Sequence, residues 1–221
     1  MRFDGLVLIG KPGSGKGSLA QTICERYSFV HFSMGHLLRR RSTDGSGLGM
    51  ELGAILAAGK YVPDPMLNSV FLDEYRQLRS DSKTQDRCIV FDGFPRSISQ
   101  LEVLNSVLPI ERCLLLVLQV SDQTCRLRSL RRRICARCDR TYSSDVLCCS
   151  KCGQPVRHRN DDQLEMFNSR LQEFFEKCEP AIARFPFRCD LDAEQSLPEV
   201  QAHVFEIIDQ LFGQTDDAED G

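Results

Sequence analysis

At 221 residues, with net charge −3, 42% hydrophobic and 27% charged residues, the chain has the composition of a globular protein able to bury a good core in one main domain plus small insertions. No apolar run reaches membrane-spanning length, and Met1-Arg2-Phe3-Asp4 leads straight into a strand without a signal-peptide pattern; a cytoplasmic location is expected and a membrane partner is not. The acidic balance argues against a nucleic-acid binder, although arginines outnumber lysines 22 to 6, and eleven cysteines without an export signal favour metal ligation over disulfides.

In chain order, residues 6–9 form an apolar run expected as a first strand. Residues 16–27 are expected as a helix, with Leu19, Ala20 and Ile23 at helical spacing. A short strand follows at 29–32, then two short helices at 33–41 and 48–58 around the turn Asp44-Gly45-Ser46-Gly47, the second stopped by Gly59. A longer helix covers 64–79. Cys88-Ile89-Val90-Phe91 is an apolar run closing on Asp92-Gly93, the pattern of a buried parallel strand with a carboxylate at its C-terminal end. Residues 101–107 are helical, 113–120 are the most apolar segment and the central strand, and 123–133 form a basic helix. Between 137 and 157 lie cysteines and turn residues with little apolar period. An amphipathic helix is expected at 161–178, a last strand at 187–191 and a last helix at 198–212; the acidic stretch 213–221 lacks a hydrophobic face and is expected to be disordered. Most lone cysteines (Cys24, Cys88, Cys113, Cys125, Cys178, Cys189) read as small core residues. Strands alternating with helices predict an α/β fold whose mainly parallel sheet is covered on both faces, with ligands beyond the C-terminal strand ends.

Two motifs fall at such ends. Gly10-Lys11-Pro12-Gly13-Ser14-Gly15-Lys16-Gly17-Ser18 joins the first strand to the first helix with the spacing of a phosphate-cradling loop. Glycines let backbone N–H groups turn inward, the helix N-terminus adds positive potential, and Lys16 adds a mobile charge. The strict pattern wants a hydroxyl directly after the lysine; here Gly17 intervenes and the hydroxyl comes at Ser18. Asp92-Gly93-Phe94-Pro95-Arg96 follows another buried strand, where a carboxylate can hold Mg²⁺ directly or through water and Arg96 can face phosphate.

Together, Lys16-Gly17-Ser18 and Asp92-Gly93-Phe94-Pro95-Arg96 resemble the adenylate kinase family of nucleoside monophosphate kinases, over residues 5 to 212. The resemblance implies a three-layer P-loop core (1–32, 63–131 and 161–221), a monophosphate-binding insertion (33–62) and a mobile lid (132–160). It implies Mg²⁺-dependent phosphoryl transfer from ATP to AMP, giving two ADP, in a chain that is usually a monomer. Gly13, Ser14, Gly15, Lys16, Gly17 and Ser18 would hold the ATP phosphates, with Arg128 near adenine and Arg132 on the phosphates. Ser33-Met34-Gly35-His36-Leu37-Leu38-Arg39 and Gly59-Lys60-Tyr61-Val62 resemble the ends of the monophosphate insertion, so Met34, Arg39, Val62, Gly93, Arg96, Gln100, Arg159 and Arg170 would surround AMP. Gln100 would read the adenine edge, since an amide donates and accepts at once. Lys16, Arg96, Arg132, Arg159 and Arg170 would be catalytic, and Asp161 and Asp162 would cap a helix and hold arginines. The chain departs from the family pattern at Met34, which replaces a hydroxyl residue, and at His36, which replaces an acidic one. The rival readings are a kinase for GMP, CMP or UMP and a catalytically weak nucleotide sensor. Taken alone, the arginines between 126 and 140 also read as a nucleic-acid patch or a solvated face.

Cys135-Ala136-Arg137-Cys138, ten residues, then Cys149-Ser150-Lys151-Cys152 have zinc-ribbon spacing, and four thiolates describe a closed, structural Zn²⁺ site. Cys148 competes for the third position, with Cys149 giving the better spacing. The resemblance is accordingly to family members with a metal-bearing lid.

Overall fold

Five strands pair edge to edge into one parallel sheet: β1 (Gly5–Gly10), β2 (Val30–Ser33), β3 (Ile89–Asp92), β4 (Cys113–Gln119) and β8 (Arg188–Asp192), in the order β2-β3-β1-β4-β8. The computed structural model describes residues 3–58, 60–135, 137–138, 140–142, 144–158 and 163–212. Gly59, Arg159, Asp161, Asp162 and the tail 213–221, each singled out above, lie outside the described residues.

The three central strands, β3, β1 and β4, are buried on both faces, and alternation divides their side chains between two cores. Val7, Ile9, Phe91, Leu115 and Val117 face one layer, with α2 (Met34–Arg41), α3 (Gly47–Ala57), α4 (Asp64–Ser80) and α5 (Ile98–Val107). Leu6, Leu8, Val90, Leu114 and Leu116 face the other, with α1 (Lys16–Tyr27) and α9 (Leu197–Phe212). Helix, sheet, helix is the expected three-layer α/β architecture. Cys113, Cys125 and Cys178 are buried as expected of small core residues, whereas Cys24, Cys88 and Cys189 are only partly so. Among the described residues no helix is long and apolar enough to cross a membrane.

Two segments differ from the sequence expectation. The helix expected at 161–178 is described from α7 (Leu164–Glu173), widens into a π turn over Phe174–Cys178 and resumes as α8 (Glu179–Ile182). Pro180 supplies no N–H to the ladder one turn back, so the regular pitch fails just ahead of it. Between α6 (Asp122–Arg131) and α7, the stretch without period is a small antiparallel sheet of β5 (Arg133–Cys135), β6 (Thr141–Tyr142) and β7 (Val156–His158). Strands of two or three residues are too short to show alternation.

The layer facing α4 is knitted by stacked rings. Phe71 of α4 lies 4.1 Å from Phe94, nearly parallel at 14°, and 5.3 Å from Phe32. This clamps α4 against the turn after β3, and both Phe71 and Phe94 are fully buried. Phe71→Ala is expected to lower the unfolding free energy by about 3–5 kcal/mol, read from urea denaturation; a loss under about 1 kcal/mol would show that the stack does not hold this layer.

Candidate active site

The C-terminal ends of β1, β2 and β3 open on a cavity of about 780 Å³. β1 lies between β3 and β4, and its register sets Leu8 opposite Asp92, so the loop after β1 and the turn after β3 emerge side by side. Seven cationic side chains line the cavity among the described residues: Lys16, Arg39, Arg96, Arg128, Arg131, Arg132 and Arg170. Asp92 is the one carboxylate among them. Such a lining suits a polyanion accompanied by a cation.

The loop of residues 11–15 needs its glycines where it is tightest. Gly13 has φ +83, and a Cβ there would lie 2.2 Å from the Cys125 carbonyl oxygen of α6. Only glycine allows the loop to press onto that helix. At the start of α1, Lys16 Nζ donates to Gly10 O (2.6 Å), Lys11 O (2.9 Å) and Ser14 Oγ (3.2 Å). Lys11 points elsewhere, donating to Val120 O at 3.1 Å and pairing with Asp122 at 2.5 Å. Burial, then the nearby Arg96, push the Lys16 ammonium down to about 7, against the pull of Asp92.

Asp92 ends β3. Burial opposes its ionisation, but His31, Lys16 and Arg96 outweigh that and hold its carboxyl below the usual range. His31 Nε2 lies 3.5 Å from Asp92 Oδ2, and the Ser33 hydroxyl reaches the same oxygen at 3.5 Å. His31 was not singled out from the sequence. The signal was there, because His31 and Ser33 are two apart on one strand and so share a face. A half-buried, ionised carboxylate beside a phosphate-binding loop has the chemistry of a Mg²⁺ ligand, direct or through water.

Each arginine is carried by a different element. The Arg39 guanidinium packs over Gly35 one turn earlier on α2, where a Cβ would come within 3.4 Å of Nη1. Gly93, at φ +83, leaves room for Arg96, whose Nη2 would lie 2.8 Å from a Cβ there. Arg128 donates to Ala193 O at 2.8 Å, which ties α6 to the segment after β8. Arg132 and Arg170 enter from the end of α6 and from α7.

Of the residues singled out from the sequence, Gly13, Ser14, Gly15, Lys16, Gly17, Ser18, Arg39, Asp92, Gly93, Arg96, Arg128, Arg132 and Arg170 line this cavity. Met34, Val62 and Gln100 do not; they are 3%, 5% and 2% exposed and lie behind its wall. Gln100 Oε1 accepts the Arg96 N–H at 2.8 Å, one hydrogen bond back from the lining. Tyr61 and Tyr142 line the cavity without having been assigned there, and His36, singled out as a departure from the family pattern, lines it too.

At the far side, β5–β7 gather four thiols. The Sγ atoms of Cys135, Cys138, Cys149 and Cys152 all lie within 4.8 Å of one another, with Cys135–Cys152 at 3.5 Å and Cys138–Cys149 at 3.4 Å. Zn–S bonds of about 2.3 Å in a tetrahedron space sulfurs about 3.8 Å apart, so the set fits Zn²⁺. Cys148 stands outside it, exposed and bridged in antiparallel fashion to Pro155. Against burial, hydrogen bonds led by the Tyr142 hydroxyl (3.1 Å) bring the Cys149 thiol down to about 6, which favours a metal-binding thiolate.

A family model described as "Adenylate kinase" matches residues 8–188. The adenylate kinase of Fervidobacterium nodosum is 30% identical over 215 residues, covering 92% of this chain and 96% of its own length. That of Borreliella burgdorferi is 29% identical over 214 residues, covering 92% and 98%. That of Pseudothermotoga lettingae is 31% identical over 193 residues, covering 83% and 86%.

The depressed Lys16 sets a proton balance for anion binding. Above pH 7 the free amine is largely neutral, and a phosphate beside it favours the ammonium. ATP binding at pH 8 is therefore expected to take up close to one proton per chain through this group, and none through it well below pH 7. Calorimetry in buffers of different ionisation enthalpy measures this. Lys16→Arg, charged throughout, is expected to abolish the uptake, and uptake that survived the substitution would place its source elsewhere.

Proposed function

The chain belongs to the adenylate kinase family, and we propose that it catalyses the reversible, Mg²⁺-dependent transfer of a phosphoryl group from ATP to AMP, giving two ADP. The observation that carries the reading is the convergence of Lys16, Arg39, Arg96, Arg132 and Arg170 on one cavity with Asp92, the one carboxylate there among the described residues. In-line phosphoryl transfer asks little covalent chemistry of a protein; it asks that donor and acceptor be held end to end and that spreading negative charge be met.

Each part has a role in that task. The loop amides from Gly13 to Ser18, with Lys16, hold the outer phosphates of ATP. Arg128 lies along the adenine end and Arg132 on the phosphates. Arg39 and Arg96 grip the phosphate of AMP, while Val62 and Gly93 shape its pocket and Met34 and Gln100 serve the base. Arg132 and Arg170, joined by Arg159, surround the charge that develops on the equatorial oxygens. Mg²⁺, held through water by Asp92, would neutralise charge on the phosphates. Residues 33–62 act as the monophosphate insertion and 132–160 as the lid, on a core of 1–32, 63–131 and 161–221. Lid closure excludes the water that would otherwise accept the phosphoryl group.

The lid carries a structural Zn²⁺ on Cys135, Cys138, Cys149 and Cys152. Among the described residues its apolar cluster has three buried members, Cys135, Cys149 and Val156, and two of these are thiols from that set. A metal supplies the cross-link that so small a core does not. We further take the protein to act as a cytoplasmic monomer on small-molecule substrates, without nucleic acid.

A coupled assay with ATP, Mg²⁺ and each of AMP, GMP, CMP and UMP tests the reading. ADP formation fastest with AMP is expected, and Lys16→Met is expected to lower kcat by about 100-fold or more. Folded, zinc-loaded protein that turns over none of the four would refute it, and preference for another monophosphate would reassign the acceptor. Metal analysis is expected to return about one zinc per chain. Cys135→Ser is expected to lower Tm more than it lowers turnover at moderate temperature; the reverse order would indicate a metal engaged in the chemistry.

A further inference from the structure

Asp64 opens α4 two residues after Val62, where the proposed monophosphate insertion rejoins the core. Both of its oxygens are engaged across the fold. Oδ2 accepts the Ser97 hydroxyl at 2.6 Å, and Oδ1 accepts the Gln100 amide Nε2 at 2.7 Å. The other end of that amide, Oε1, accepts the Arg96 backbone N–H at 2.8 Å. With Gln100 only 2% exposed, water does not compete for these bonds.

A glutamine amide has nearly the same shape either way round, so its partners decide which end is which. Here both partners decide alike. A carboxylate only accepts and so faces the NH₂ group; a peptide N–H only donates and so faces the oxygen. Turned over, the amide would set its oxygen against a carboxylate and its NH₂ against another N–H. Two buried bonds would be lost and two repulsions gained. The amide therefore keeps one N–H and one oxygen lone pair in a fixed order. Adenine offers an amino donor beside a ring-nitrogen acceptor, whereas the matching edge of guanine offers a carbonyl acceptor beside an N–H donor. An amide locked one way complements the first and clashes with the second.

We propose that Asp64 is a specificity-determining positioning residue, which makes the acceptor site select an adenine over a guanine nucleotide by locking the Gln100 amide. The inference rests on the reading that Gln100 meets the base of the acceptor. It differs from a merely structural role for Asp64, as a carboxylate at a helix start, in what it does to selectivity.

Asp64→Asn keeps the shape but donates as well as accepts, which lets Gln100 turn over. The ratio of kcat/KM for AMP to that for GMP is expected to fall about tenfold, chiefly through a higher KM for AMP, with the KM for ATP and the Tm little changed. Asp64→Ser, which also both donates and accepts at a helix start, serves if the asparagine variant does not fold. Ser97→Ala disturbs the same cluster but leaves the acceptor-only carboxylate in place, and is expected to preserve the ratio. An unchanged ratio in the Asp64 variants overturns the proposal, as does an equal loss for both nucleotides. If the unaltered protein turns over no monophosphate, the kinase reading fails. The ratio of AMP to GMP dissociation constants by calorimetry, before and after the substitution, then decides the lock by the same tenfold criterion, and absence of binding to either nucleotide overturns the lock as well.

Discussion

Seven like charges around one cavity repel one another, and much of the architecture consists of devices that keep them there. Among the described residues Asp92 gives the group its one carboxylate countercharge, half-buried at a strand end where neighbouring cations hold it ionised. Backbone carbonyls do more. Lys16 lies against the oxygens of Gly10 and Lys11, and Arg128 against that of Ala193. Carbonyl dipoles hold a cation in place without neutralising it, so the cavity keeps its affinity for anions. The displaced titration of Lys16 comes first from burial and only then from this crowding, through Arg96.

The two ends of the cavity are built differently. At the end proposed for the donor, the loop, α1 and α6 press together closely enough that Gly13 has no room for a methyl group. At the end proposed for the acceptor, Arg39 and Arg96 stand on separate elements, and Gln100 lies behind the wall in a hydrogen-bonded network joining α4 to α5. The small antiparallel sheet is a third kind of structure, two- and three-residue strands around four thiols.

What was legible in the sequence was local. The phosphate loop and the turn at Asp92 carry their chemistry in consecutive residues, and the three central strands of the sheet announce themselves as apolar runs because both faces are buried. Contacts that depend on register or on distant pairing were not. His31 needed the strand pairing that brings it to Asp92, and Asp64 read only as the start of a helix because its partner lies 36 positions away. The lid strands were too short for a period, and the π turn before Pro180 lay inside a segment whose apolar pattern continues through it. The competition between Cys148 and Cys149 was resolved by position: one faces solvent and the other sits among the thiols.

The contact of Gly13 with α6 has a consequence for how such a molecule diversifies. Because the phosphate loop and the helix that carries Arg128 meet at Gly13 with no room for a methyl group, a substitution on either must be accommodated by the other. A change at the triphosphate end must satisfy a loop, two helices and the segment at Ala193 together. On the proposed reading the acceptor base, by contrast, answers to a few side chains, among them Gln100 and its carboxylate partner. Inherited variation in such a scaffold is free to explore new acceptors long before it can explore new donors.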